Sequence, residues 1–186
     1  LGMSRGLGDV YKRQSLSEVQ SILLRMRELT IQAMSDTNSA DDRLALDSEL
    51  SQLELEITRI GSTTSFGGKP VFDGNLHYLQ IGPRSGNTLE VQSYTLSAAT
   101  LGLNQDLTSR GNAENYLGII DTAIQNINEK RGAAGALSNR LDFIMSNLDN
   151  SKVNLIKSRS NIGDADFATE SMKLAKAKIL EQVAIA

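Results

Sequence analysis

Apolar side chains recur along this chain at spacings of three and four residues, the period of an α-helix. Between residues 15 and 34 the positions Leu16, Val19, Leu23, Met26, Thr30 and Ala33 form a coiled-coil-like seam. Adding Ile22, Leu24, Leu29, Ile31 and Met34 at about 100° per residue widens the apolar arc to roughly 220°, about twice what a surface helix needs. More than one neighbouring surface is predicted to cover it. The polar stretch SDTNSADD (35–42) then supplies turn and N-cap chemistry. A second helix, about 41–60, carries its own seam at Leu46, Leu50, Leu53, Ile57 and Ile60. Leu44 and Leu55 point the opposite way, so this helix too has an apolar back. Leu44, Leu55 and Ile31 are therefore candidates for contact with another subunit.

Residues 61–111 change character. GSTTSFGGKPVFDG reads as glycine-rich turn material, and HYLQI (77–81) with TLEVQ (88–92) flank GPRSGN as the arms of a β-hairpin with a longer loop. The longest helix is predicted over 113–160. Its seam is Leu117, Ile120, Ile124, Ile127, Arg131, Ala134, Ser138, Leu141, Met145 and Leu148, and at 1.5 Å per residue it spans roughly 70 Å. The expected core is thus Leu46, Leu50, Leu53, Ile57 and Ile60 on one helix and Ile124, Ile127 and Leu141 on the other. Gly132 and Gly135 each cost about 1 kcal/mol against Ala inside a helix. They mark either a close backbone approach or a bend, or are simply tolerated. Gly163 interrupts the pattern, Asp164 and Asp166 offer a cap, and a last helix follows with Ala168, Met172, Ala175 and Ile179 as its stripe. Residues 1–14, with three glycines and no sustained period, read as a tail.

Composition narrows the function. The 186 residues include no Trp, no Cys and one His, with 19 basic and 22 acidic side chains for a formal charge of −3. Disulfides, thiolate catalysis and Cys-ligated zinc are excluded, and no bulk charge argues for nucleic acid. No run of about 18 apolar residues codes a membrane span, and no apolar block marks a cleaved secretory signal. His77, beside Tyr78 at a strand edge, reads as a hydrogen-bonded histidine. The acidic clusters lack the spacing of an EF-hand loop, and GPRSGN precedes a strand rather than a helix, unlike a phosphate loop. No catalytic, metal or cofactor site is expected, which leaves amphipathic helices as the functional feature.

Four stretches carry a resemblance: LLRMRELTIQAMSDTNSADDR, ELSQLELEITRIGSTTSFGGKPVFDG, RGAAGALSNRLDFIMSNLDNS and SRSNIGDADFATESMKLAKAKILEQ. Together they resemble bacterial flagellin, in that family's order and over most of residues 15–186. The resemblance implies a mainly α fold, an elongated rod of long coiled-coil-like helices with a small β-hairpin region. Residues 15–162 correspond to the rod domain D1 and 163–186 to the start of the C-terminal D0 helix, while 1–14 match nothing in the family. A truncated chain with foreign residues at its front, exported and polymerised poorly, is the corresponding expectation.

The implied function is that of a structural subunit of the flagellar filament, extracellular and exported by the flagellar type III route. The implied partners are other flagellin subunits, the export apparatus, a flagellin chaperone and the host Toll-like receptor that senses flagellin. That receptor is expected to read Arg25, Leu29 and Glu49, with Leu29 at the border of the polar face. A hook–filament junction protein of the same architecture is the nearest alternative, and a helical coiled-coil adaptor or secreted effector is a second.

Overall fold

The computed structural model describes residues 2–185, with the side chains of 2–7, 9, 164–166 and 168 left out of account. Three long helices carry the fold: α1 (Gly2–Ala33), α2 (Ala40–Thr63) and α3 (Arg110–Ile185). Four short strands lie between α2 and α3: β1 (Ser65–Phe66), β2 (Lys69–Pro70), β3 (Leu76–Gln80) and β4 (Thr88–Gln92). The chain divides into two compact units, Leu1–Leu141 and Asp142–Ala186.

In the first unit, α1 and α2 form an antiparallel hairpin. Ser15 pairs with Thr64 at 3.2 Å, Arg25 with Glu49 at 2.8 Å, and the Arg43 guanidinium donates to the Ala33 carbonyl at 3.1 Å. The turn between them is fixed by a capping box at Ser39, whose hydroxyl accepts from the Asp42 N–H while the Asp42 carboxylate accepts from the Ser39 N–H. The first part of α3 runs antiparallel to α1. Arg27 pairs with Asp121 at 2.8 Å, and Arg131 donates to the Gln20 side chain.

The core follows from these crossings. Leu16, Val19, Leu23, Met26 and Ala33 of α1 meet Leu50, Ile57 and Ile60 of α2 and Ala113, Tyr116, Ile120, Ala123 and Ile127 of α3. Each fully buried large aliphatic side chain contributes about 1.5–3 kcal/mol. The buried stripe of α3 is displaced from the expected seam: Tyr116 and Ala123 are fully buried, whereas Leu117 and Ile124 sit at its edge. The small Ala123 lets the helices approach, and the Tyr116 hydroxyl finds the Glu54 carboxylate at 2.5 Å, so a polar-tipped residue occupies the centre.

The connecting segment adds to the core. β1 and β2 pair through a two-residue turn at Gly67 and Gly68, with φ of 59° and 78°, the left-handed pair that a tight hairpin demands. β3 and β4 pair antiparallel in the register Leu76↔Gln92, Tyr78↔Glu90 and Gln80↔Thr88. Phe72, Leu96, Leu103 and Leu107 are buried against the helices although they follow no period.

Two expectations about helix limits are corrected. The first helix does not begin at residue 15 but extends back to Gly2. Contacts offset its glycines: Tyr11 stacks on Phe66 with centroids 6.0 Å apart, and Lys12 lies over the Tyr94 ring. The expected break at Gly163 is also absent, because α3 continues to Ile185 without a new N-terminus. The cap expected from Asp164 and Asp166, and Ala168 in the stripe, fall outside the described side chains.

Candidate assembly and recognition surfaces

Apolar side chains that the first unit does not bury are the most conspicuous feature of its surface. On α1, Leu24 is 47% and Ile31 46% exposed; on α2, Leu44 is 53% and Leu55 63% exposed. They arise from the doubled apolar arcs, since the core-facing half of each helix is already filled. The seam residues Leu50, Ile57, Ile60 and Ile127 are buried, Leu46, Leu53 and Ile124 are partly buried against them, and Leu141 is half-buried. The second unit, taken by itself, exposes Phe143, Leu155, Ile162, Phe167, Met172 and Val183 along its helix.

A charged patch crosses the α1–α2 hairpin. The Arg25 guanidinium donates to Glu49 through Nε at 2.9 Å and Nη2 at 2.8 Å, and to Glu28 through Nη1 at 3.2 Å. These bonds, Glu49 first, hold the guanidinium above its already high range, so it stays charged. Leu29 lies elsewhere: it is 1% exposed, an interior residue rather than the border residue expected. Helix α2 packs over its side of α1, which a single-helix projection does not contain.

The polar groups beneath these surfaces are structural. Burial pushes the Glu54 carboxyl up, against the opposing pull of the Tyr116 hydroxyl, while burial and then Glu54 push the Tyr116 phenol up. Asp73 is held well below the usual carboxylate range, first by the Asn75 N–H and then by His77, whose Nε2 lies 3.0 Å away. Among the described residues no group of three or more His, Cys, Asp or Glu side chains is placed to hold a metal ion, and no helix is long and apolar enough to cross a membrane.

Comparison with known proteins accounts for this arrangement. The model of the bacterial flagellin N-terminal helical region matches residues 8–77, and that of the C-terminal helical region matches residues 117–186. The chain belongs to the bacterial flagellin family. Its helical periodicity is therefore that of a structural protein family rather than of an enzyme. The N-terminal match begins at residue 8, inside the stretch expected to match nothing. A flagellin from Halalkalibacterium halodurans is 39% identical over 90% of this chain and 64% of its own length. A flagellar filament 33 kDa core protein from Treponema phagedenis is 30% identical over 90% of this chain and 65% of its own. The crystal structure of Bacillus cereus flagellin superposes with a TM-score of 0.71 at 32% identity, covering 78% of this chain and 86% of that one. The chain thus spans just under two thirds of the length of these two curated relatives.

Proposed function

We propose that the chain is a structural subunit of the bacterial flagellar filament, outside the cell, joined to other copies through the exposed apolar faces of its helices. The observation that carries this reading is the set Leu24, Ile31, Leu44 and Leu55, large aliphatic side chains on two charged, well-packed helices that the chain itself leaves uncovered. Covering them with a neighbour returns about 25 cal/mol per Å² of apolar area, repeated at every subunit, against the entropy of association. A contact that does not close on itself propagates as a helix. Membership of the flagellin family supports the same reading, and with it the export apparatus and a flagellin chaperone as partners on the way out of the cell.

Replacing Leu44 and Leu55 together by Ser tests it, because both are solvent-exposed and their change leaves the core intact. Sedimentation velocity over a concentration series is expected to show self-association of the parent, weakened at least tenfold in the double variant, or about 1.4 kcal/mol. Far-UV circular dichroism should be unchanged. A parent that stays monomeric at every concentration, or equal association of the two proteins, overturns the assignment.

The same surface supports recognition by the host Toll-like receptor for flagellin, with Arg25 and Glu49 as the accessible groups and Leu29 holding the helix beneath them. A planar, ion-paired Arg at the helix surface makes a suitable anchor. Arg25→Ala with Glu49→Ala should lower potency in a receptor-reporter titration at least tenfold at unchanged helicity. Equal potency removes the proposal.

A further inference from the structure

Pro83, Arg84, Ser85, Gly86 and Asn87 are all exposed on the turn that joins β3 to β4. Every other Lys or Arg of the chain lies within α1, α2 or α3, except Lys69 on β2, and the bond after Lys69 leads into Pro70. A protease takes its substrate as an extended strand of several residues, which an exposed turn supplies and a helix supplies only by unfolding. Proline is a poor residue to follow the cut, because its ring replaces the N–H and fixes φ. Arg84 is therefore the basic residue whose following bond the fold presents.

The neighbouring residues narrow the class of protease. The chain holds two prolines, and of these only Pro83 precedes a basic residue. Its ring presets the backbone ahead of Arg84, the guanidinium suits the carboxylate at the floor of a trypsin-like specificity pocket, and Ser85 and Gly86 place no bulk beyond the cut. The carbonyl of the bond is already occupied. Arg84 O accepts from the Gln80 side-chain amide at 2.7 Å and from the Asn87 N–H at 3.2 Å, and the same amide donates to the Gly82 carbonyl at 2.7 Å. These bonds must open before the carbonyl can enter an oxyanion hole, so they set how often the bond is available.

We propose that Arg84–Ser85 is a processing site for an arginine-specific serine protease that accepts proline before the arginine, with Gln80 as its latch. The protease serine adds to the Arg84 carbonyl carbon, the C–N bond breaks, and the Ser85 nitrogen leaves as an amine with a proton from the protease histidine; water then releases the Arg84 carboxylate. The two pieces stay joined, since β3 pairs with β4, Glu54 with Tyr116 and Arg27 with Asp121 across the cut.

Thrombin, a protease of this specificity, is the probe, used in catalytic amount on the full chain. Mass spectrometry should find residues 1–84 and 85–186 as the products, co-eluting in native gel filtration with unchanged far-UV circular dichroism. Arg84→Gln should slow the cut at least tenfold, and Gln80→Ala should speed it about threefold to tenfold by removing the latch. Circular dichroism verifies that both variants fold, and Arg84→Gln decides the matter if Gln80→Ala does not. A parent left uncut or cut first elsewhere, pieces that separate, Arg84→Gln cut as fast as the parent, or a folded Gln80→Ala cut no faster would overturn the proposal.

Discussion

Gly61→Ala provides the sharpest test of the packing. Gly61 is buried on α2, and a Cβ placed there would lie 1.8 Å from the Leu96 carbonyl oxygen and 2.8 Å from the Leu96 carbonyl carbon. Carbon and carbonyl oxygen approach in favourable contacts to about 3.3–3.6 Å, so a gap of about 1.5 Å must open between two backbones. Neither side can yield by rotating a side chain. Leu96 is itself a core residue, and the neighbouring Ala98 N–H donates to the Thr58 hydroxyl of α2 at 3.2 Å. Overpacking of this kind costs about 1–3 kcal/mol and occasionally more, and a backbone clash belongs at the upper end. Ala returns about 1 kcal/mol of helix propensity, leaving a net loss of about 2 kcal/mol. Gly132→Ala is the internal control, because nothing lies within 4 Å of a Cβ there and only the propensity gain remains. Urea denaturation followed by circular dichroism should separate the two variants by about 3 kcal/mol with equal m-values. If Gly61→Ala is as stable as Gly132→Ala, the close approach of α2 to residue 96 is wrong.

The other expectations concern burial and charge. Ile57→Ala, at a fully buried position, should cost about 2–5 kcal/mol by the same assay, whereas Leu55→Ala, two residues earlier on the exposed face, should stay within about 0.5 kcal/mol. Glu54 has a raised folded pKa, so its contribution is fully present below the ordinary 4.5 and is lost as pH rises through the folded value. Glu54→Gln should therefore flatten the fall in denaturation midpoint above pH 4.5 while still accepting from Tyr116. Asp73 has the opposite sign: its stabilisation is present above the ordinary 3.8 and lost as pH falls. The advantage of the parent over Asp73→Asn should thus shrink on acidification below about pH 4. Tyr94→Phe, which deletes a buried donor that no group among the described residues pairs, should raise stability by about 1 kcal/mol; a lower midpoint would place a partner on that hydroxyl.

Periodicity made the helices legible because each has to bury one face, and the seams of α1 and α2 run through residues that the structure buries, such as Leu23, Met26, Leu50 and Ile57. The hairpin arms fell within a residue of β3 and β4 because alternation and the GPRSGN turn are local signals. Four features were not legible. Leu29 needed the position of α2 over α1, a tertiary fact. Tyr116 and Ala123 took the centre of the α3 stripe because fit to the opposite helices, not apolarity alone, decides which residues turn inward. Phe72, Leu96, Leu103 and Leu107 joined the core from a segment without regular structure, where no spacing announces burial. The extension of α1 through glycines rests on contacts of Tyr11 and Lys12 with residues more than fifty positions away.

That irregular segment also sets where the chain tolerates a change of length. Two α2 side chains hold its backbone: Thr58 accepts from the Ala98 N–H at 3.2 Å, and Asp47 accepts from the Leu107 N–H at 2.8 Å. Between these pins Gly102 turns with a φ of 77°, a conformation that other residues adopt at a cost. Eleven positions on a helix separate the pins by about 16 Å, and the strap between them spans that distance while holding the 3-10 turn Ala99–Leu101 and Gly102. Inserting or deleting a residue there would force it off one pin or off the turn. The exposed turn at 82–87 has no such tether to α2 and joins two strands only to each other. Added sequence would extend outward from it at the modest, slowly growing entropy of a longer loop, leaving the helices and their core as they are.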